Sequence, residues 1–198
     1  MRLIGLTGPA GCGKDSVAGI LCRDHGFVRY AFAKPIKDML KAIGVDCDTR
    51  EMKERADATI FGVSPRRMAQ TLGTEWMRDT ICQDGWLRLA AEHLSRVEQW
   101  RGQKLGPRKD DRDLPPAPEG VVITDVRFEN EAAWLAERDG VLWHIDRPGV
   151  CPVEAHVSEK GLGRYPGDLV IRNDGTLGQL AHTVLQAVIA PTLYEVQL

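Results

Sequence analysis

The sequence predicts an α/β fold: a mostly parallel sheet of about five strands, helices on both faces, and a helical insertion between the second and third strands. Three observations predict it. Short apolar or β-branched runs alternate with segments of helical spacing, as in a parallel sheet wound by crossover helices. A glycine-rich turn joins the first such run to the first helix. Between residues 35 and 100 helical spacing continues without a strand signal.

The elements follow in order. Residues 2–7 are a short apolar run that reads as a strand. From Asp15 to about Asp24, Val17, Ile20 and Leu21 recur at helical spacing. Phe27 to Ala33 is aromatic and apolar enough for a second strand. Pro35 opens a helix whose apolar face is Ile36, Met39, Leu40 and Ile43, and Gly44 stops it. Residues 46–62 are charged and weakly patterned. Ser64-Pro65 is a helix start; the spacing runs through Met68 and Leu72, breaks at Gly73 and resumes around Trp76 and Ile81. Asp84 to Trp100 is a further helix. Residues 101–120 are rich in charge and proline and read as a flexible solvated loop, either a plain insertion or a basic flap over phosphates. Val121-Val122-Ile123-Thr124 is the strongest strand signal. A helix over 129–138, a strand over 141–145, an irregular stretch over 147–167, a strand over 169–171 and a helix over 177–189 complete the chain.

Composition bounds the function. The length, 198 residues, suits one domain over 1–198, with 35–100 as an insertion within it. A formal net charge of −2 gives no reason to expect nucleic acid or an anionic membrane as partner. No apolar stretch is long enough to span a bilayer, and no secretory leader pattern precedes the first strand, so a cytoplasmic location is expected. The five cysteines, Cys12, Cys22, Cys47, Cys82 and Cys151, form no CxxC pair and read as reduced thiols. A homodimer is the default assembly.

Gly8-Pro9-Ala10-Gly11-Cys12-Gly13-Lys14 fits the first seven positions of G-x-x-x-x-G-K-[ST], between a strand and a helix. Backbone N–H groups there must curl around phosphate oxygens, which glycine permits. The helix N-terminus adds partial positive charge, and Lys14 brings a full charge to the β and γ phosphates. This marks a P-loop NTPase-type sheet whose phosphate-binding residues are Gly8, Gly11, Cys12, Gly13, Lys14, Asp15 and Ser16. One position departs from the pattern. Where a Ser or Thr hydroxyl normally ligates Mg²⁺, this chain has Asp15, followed by Ser16. Asp15 can hold Mg²⁺, stabilise the helix N-terminus or orient an acceptor; in the last two cases Ser16 takes the hydroxyl role.

With Asp after the lysine, the loop resembles that of the deoxynucleoside monophosphate kinases of tailed bacteriophages. Three further segments carry the resemblance. Phe32-Ala33-Lys34-Pro35-Ile36-Lys37 is similar to the family's segment after the second strand. Arg67 to Glu75, with Arg78, is similar to its R-x-x-Q-x-x-G-T-E helix. Val122 to Glu131 is similar to its D-V-R-F segment. Asn173 to Leu177 also looks familial. The resemblance implies transfer of the γ-phosphoryl of ATP, with Mg²⁺, to a small nucleotide acceptor, a deoxynucleoside monophosphate. Kinases of dephospho-coenzyme A or phosphomevalonate type, and a regulatory ATPase without an acceptor, stay open as alternatives.

The remaining site residues have two readings each. Asp125, at the end of the strongest strand, is a candidate for holding Mg²⁺ or its water, or is a helix cap. Arg127 either meets the charge that develops on the transferred phosphoryl group or pairs with Glu129 or Glu131. Lys14, Asp15, Asp125 and Arg127 are therefore the candidate catalytic residues, and Asp15, Ser16 and Asp125 the candidate metal ligands. Arg67 and Gln70 share a helix face, so Arg67 with Arg78 can clamp an acceptor phosphate while Gln70 meets a base edge. Lys34 joins this acceptor set, with Lys37 nearby. The alternative for all of them is an ordinary solvated face. Trp86 and Trp134 read as core. His156, Ser158 and Glu159 read as either a lid or a structural loop.

Overall fold

The computed structural model describes residues 1–47, 50–55, 61–104, 116–150 and 162–194. The chain divides into two compact units, Met1–Tyr30 with His93–Leu198, and Ala31–Glu92.

The first unit holds the sheet. Its strands are β1 (Arg2–Thr7), β2 (Phe27–Tyr30), β3 (Gly120–Ile123), β4 (Val141–Asp146) and β5 (Leu169–Arg172). Their order is β2-β3-β1-β4-β5, and every pairing is parallel. Ile4 of β1 pairs with Val122 on one side and Val141 on the other, which fixes β1 at the centre. A central parallel strand is covered on both faces, so it reads as a continuous apolar run rather than an alternation. Residues 3–7 are accordingly all buried.

Side chains alternate across the strand. Ile4 and Leu6 join a core with Val17, Ile20 and Leu21 of α1 (Lys14–His25) and Leu180 and Val184 of α7 (Leu177–Ile189). Leu6, Leu21 and Val184 are fully buried, and removing a side chain of this size from water contributes roughly 1.5–3 kcal/mol. Gly5 faces the other way. A Cβ there would press into Leu135 of α6 (Glu129–Ala136), Val126 and Leu142. The sheet therefore carries helices on both faces, as expected from the sequence. Gly26, with φ of 68°, ends α1 and turns the chain directly into β2. Thr176 caps α7: its hydroxyl accepts the Gln179 N–H, and the Gln179 side chain accepts the Thr176 N–H.

The second unit is helical. It contains α2 (Lys34–Ala42), α3 (Arg50–Glu54), α4 (Pro65–Thr71), a π-helix (Leu72–Ile81) and the start of α5 (Gly85–Lys104). The second strand, expected to reach Ala33, ends at Tyr30, and the chain turns into α2. Helix α3 lies in the stretch whose charge gives no clear pattern.

The break expected at Gly73 does not occur. The helix continues through it as a wider coil. Cys82 donates its N–H to the Met77 carbonyl five residues back, and Thr80 Oγ1 donates to the Glu75 carbonyl. Gly73 is buried, a Cβ there would lie 3.0 Å from Ile36, and its carbonyl accepts the Trp86 indole N–H at 2.8 Å. Glycine is used here for close approach rather than for a turn. Helix α5 extends to Lys104, so the first four residues of the loop expected over 101–120 are helical. Residues 105–115 of that loop, Cys151, and His156, Ser158 and Glu159 lie outside the described residues. Trp86 and Trp134 are buried, in keeping with core positions.

Candidate active site

Strand β1 delivers the chain to the carboxyl edge of the sheet, and α1 leaves from it. The turn between them is the glycine-rich loop that the sequence predicts to be the phosphate loop. Gly8 and Gly13 have φ of 136° and 107°, a region L side chains rarely adopt. Space gives the same answer: a Cβ at Gly8 would meet the Ile145 carbonyl oxygen, and one at Gly13 would collide with the Asn173 side chain. Gly13 caps α1, and its carbonyl accepts the Val17 N–H at 3.0 Å.

The loop is anchored from below and from the side. Cys12 is fully buried in the core between the sheet and its helices. Asn173, just after β5, donates from Nδ2 to the Cys12 carbonyl oxygen at 2.8 Å. Its own N–H bonds the Asp146 carbonyl at the end of β4, at 2.7 Å.

Lys14 opens α1, and its side chain folds back over the loop. The ammonium donates to the Gly8 carbonyl at 2.6 Å and to the Pro9 carbonyl at 2.9 Å. Cys12 Sγ lies 3.7 Å away. Asp15 follows, and its carboxylate is ion-paired with the Arg29 guanidinium on β2. Both side chains are well exposed. Ser16 is exposed on the same first turn.

Asp125 lies two residues past the end of β3. The Thr124 N–H bonds the Tyr30 carbonyl at 3.0 Å, and the Val126 N–H bonds the Leu6 carbonyl at 3.1 Å. Asp125 is thus held at the carboxyl edge, next to the strand that feeds the phosphate loop. It does not cap α6. Burial pushes the Tyr30 phenol up to about 12, and the nearby Asp125 charge pushes it the same way.

The cap role belongs to Glu131. This carboxylate is 2 % exposed and accepts the backbone N–H of Arg127 at 2.7 Å and of Phe128 at 3.2 Å. Glu131 therefore fixes the backbone that presents Arg127, whose residue is exposed at the same edge.

The expected acceptor residues all lie in the helical unit. Lys34 pairs with Asp38 at 2.6 Å, and Arg67 with Glu75 at 3.5 Å. Ser64 caps α4 by accepting the Arg67 N–H. Gln70 follows Arg67 on α4, and Arg78 lies on the π-helix. Arg66 is tied to Glu54 at 2.6 Å. The phosphate loop, Asp125 and Arg127 all lie in the sheet unit. Arg29 enters the site with no signal in the sequence. Glu131 is expected only as an ion-pair partner of Arg127, and the structure adds that it accepts the Arg127 backbone N–H; Asn173 gives only membership of a familiar-looking tail.

A family model described as deoxynucleotide monophosphate kinase matches residues 47–184. A putative deoxynucleotide monophosphate kinase of Acanthamoeba polyphaga mimivirus is 35% identical, over 95% of this chain and 96% of its own. The chain belongs to the deoxynucleotide monophosphate kinase family. Members from Enterobacteria phage T4 and Escherichia phage T5 are 24% and 27% identical, covering 91% and 87% of this chain and 95% and 90% of their own. The family model's span begins after the glycine-rich loop. Two solved structures share the fold: a sugar kinase of Janibacter sp., with a TM-score of 0.51 at 16% identity over 98% of both chains, and a Thermus thermophilus protein, with a TM-score of 0.50 at 19% identity over 96% of this chain and 97% of its own. No helix among the described residues is long and apolar enough to cross a membrane.

Proposed function

We infer that this protein transfers the γ-phosphoryl group of ATP to the α-phosphate oxygen of a deoxynucleoside monophosphate, giving the diphosphate and ADP. The observation that carries the reading is the phosphate loop closed by Lys14, in a chain of the deoxynucleotide monophosphate kinase family. An α-phosphate oxygen is already a nucleophile at neutral pH, so the site needs no strong general base. Positioning and charge neutralisation supply the rate. The loop N–H groups and the α1 N-terminus hold the donor phosphates. Lys14 exchanges its carbonyl partners for phosphate oxygens. Arg127 meets the charge that spreads over the transferring group. Arg67 and Arg78 take the acceptor phosphate, with Lys34 and Gln70 beside them.

The residues present fit Mg²⁺. Ser16, on the first turn of α1, and Asp125, past the end of β3, are hard oxygen donors at the carboxyl edge of the sheet. We assign the ion to these two from their place at the carboxyl edge of the sheet; the Asp15 carboxylate is paired with Arg29 on β2. Phosphate oxygens and water would complete its shell. Bound there, Mg²⁺ neutralises charge on the β and γ oxygens. Nucleic acid and membrane play no part in this reading, which takes a homodimer as the assembly.

Separation of the products tests it. Incubation with ATP, Mg²⁺ and a deoxynucleoside monophosphate should yield the corresponding diphosphate. Diphosphate formed with none of them, but phosphorylation of dephospho-coenzyme A or phosphomevalonate, would contradict it.

A further inference from the structure

We propose that Asn173 is a positioning residue that sets the orientation of one phosphate-binding amide in the loop. The proposal rests on the reading above for what the loop binds, and on geometry for how Asn173 acts.

The Cys12–Gly13 peptide is trans, as are all the described peptides. In a trans peptide the carbonyl and the following N–H point in opposite directions. Asn173 holds the Cys12 carbonyl at 2.8 Å. The Gly13 N–H is therefore aimed away from Asn173. A carbonyl oxygen only accepts, so the Asn173 atom facing it is the amide nitrogen.

The loop cannot hold this orientation alone. Gly13 follows the peptide, and glycine permits either orientation at little backbone cost. The flipped peptide would turn a carbonyl dipole toward the bound phosphates and remove an N–H from them. Asn173 opposes that flip with a hydrogen bond, and it is rigidly placed. Its own N–H is fixed to Asp146, and its side chain fills the space a Cβ on Gly13 would need. Gly13 and Asn173 are thus a matched pair: the missing Cβ admits the amide that orients the loop. The turn after β5 thereby acts on the phosphate loop across 161 residues of sequence.

The test compares Asn173→Ala and the near-isosteric Asn173→Asp. The second keeps the volume but sets a carboxylate acceptor against the Cys12 carbonyl. ADP binding by calorimetry and the KM values for ATP and acceptor are the readouts. ADP affinity should fall about tenfold in Asn173→Ala and further in Asn173→Asp, with a matching rise in KM for ATP. The KM for the acceptor should stay within about twofold. ADP affinity within about twofold of the parent in both variants would overturn the proposal. So would a parallel rise in both KM values, the mark of a merely structural role. ADP binding needs no acceptor, so the proposal is read even if the parent phosphorylates none of the acceptors offered.

Discussion

Lys14 reaches back to the carbonyl of Gly8 at 2.6 Å, so the phosphate loop closes on its own lysine. The ammonium is held where the loop curls, by acceptors that phosphate oxygens can replace at little cost in geometry. Lys14→Ala should reduce turnover by at least about 100-fold, the scale for loss of one preorganised charge partner. The circular dichroism spectrum should be unchanged, because the Lys14 bonds to Gly8 and Pro9 stay within the loop and its helix. Activity kept in a variant with a native spectrum would remove Lys14 from the mechanism.

The pairing of Asp15 with Arg29 separates two candidate metal ligands. Ser16→Ala should raise the Mg²⁺ concentration for half-maximal activity about tenfold, the loss of one good hard ligand. Asp15→Asn should leave that concentration nearly unchanged. Arg29→Ala should cost under about 1 kcal/mol of stability, because the pair is exposed. A Mg²⁺ titration of the three variants decides between them, and a large shift only in Asp15→Asn would return the metal to Asp15.

Glu131 carries a stability prediction. Its buried carboxylate satisfies two backbone N–H groups at the start of α6. Glu131→Ala should cost about 2 kcal/mol in urea unfolding, the scale for stranding buried donors. Turnover should fall as well, since the Arg127 backbone loses its anchor. A variant as stable as the parent would show that this cap contributes little.

The stability of the sheet unit should depend on pH through His93. The ring stacks on Tyr30 with centroids 4.7 Å apart, and Nε2 is buried without a hydrogen-bond partner among the described residues. Burial, and secondarily the Arg96 charge, lower its pKa below the usual 6.5. The unfolded chain then binds the proton more readily than the folded one, so stability is kept above pH 6.5 and falls as the pH drops from there toward the folded value. His93→Phe should flatten that part of the profile. Chemical denaturation between about pH 5 and 8, the range in which histidine titrates, measures it. An equal slope in both proteins would exclude His93 as the source.

The sheet and the phosphate loop are legible because both are written locally. Apolar runs of strand length bounded by glycine can only be buried strands here, and two glycines before a lysine at a strand–helix junction leave few other uses. The bonds that finish the site are not local. Arg29 reaches Asp15 from the next strand, and Asn173 reaches Cys12 from the turn after the last strand. No spacing rule encodes such a pair. Gly73 misleads for a related reason. Glycine signals a break when read alone, but here the space it leaves is taken by Ile36, and the Trp86 indole caps its carbonyl. For Asp125 the sequence leaves metal ligand and helix cap both open. In the structure Phe128 takes the N-cap position of α6, and Glu131 holds the Arg127 and Phe128 N–H groups from within the helix.

The most direct measurement is ADP release with ATP, Mg²⁺ and each deoxynucleoside monophosphate in turn, against a blank without acceptor. Release that depends on at least one of them, with an equal amount of deoxynucleoside diphosphate formed, is the predicted result. Release equal to the blank with every deoxynucleoside monophosphate would contradict the assignment.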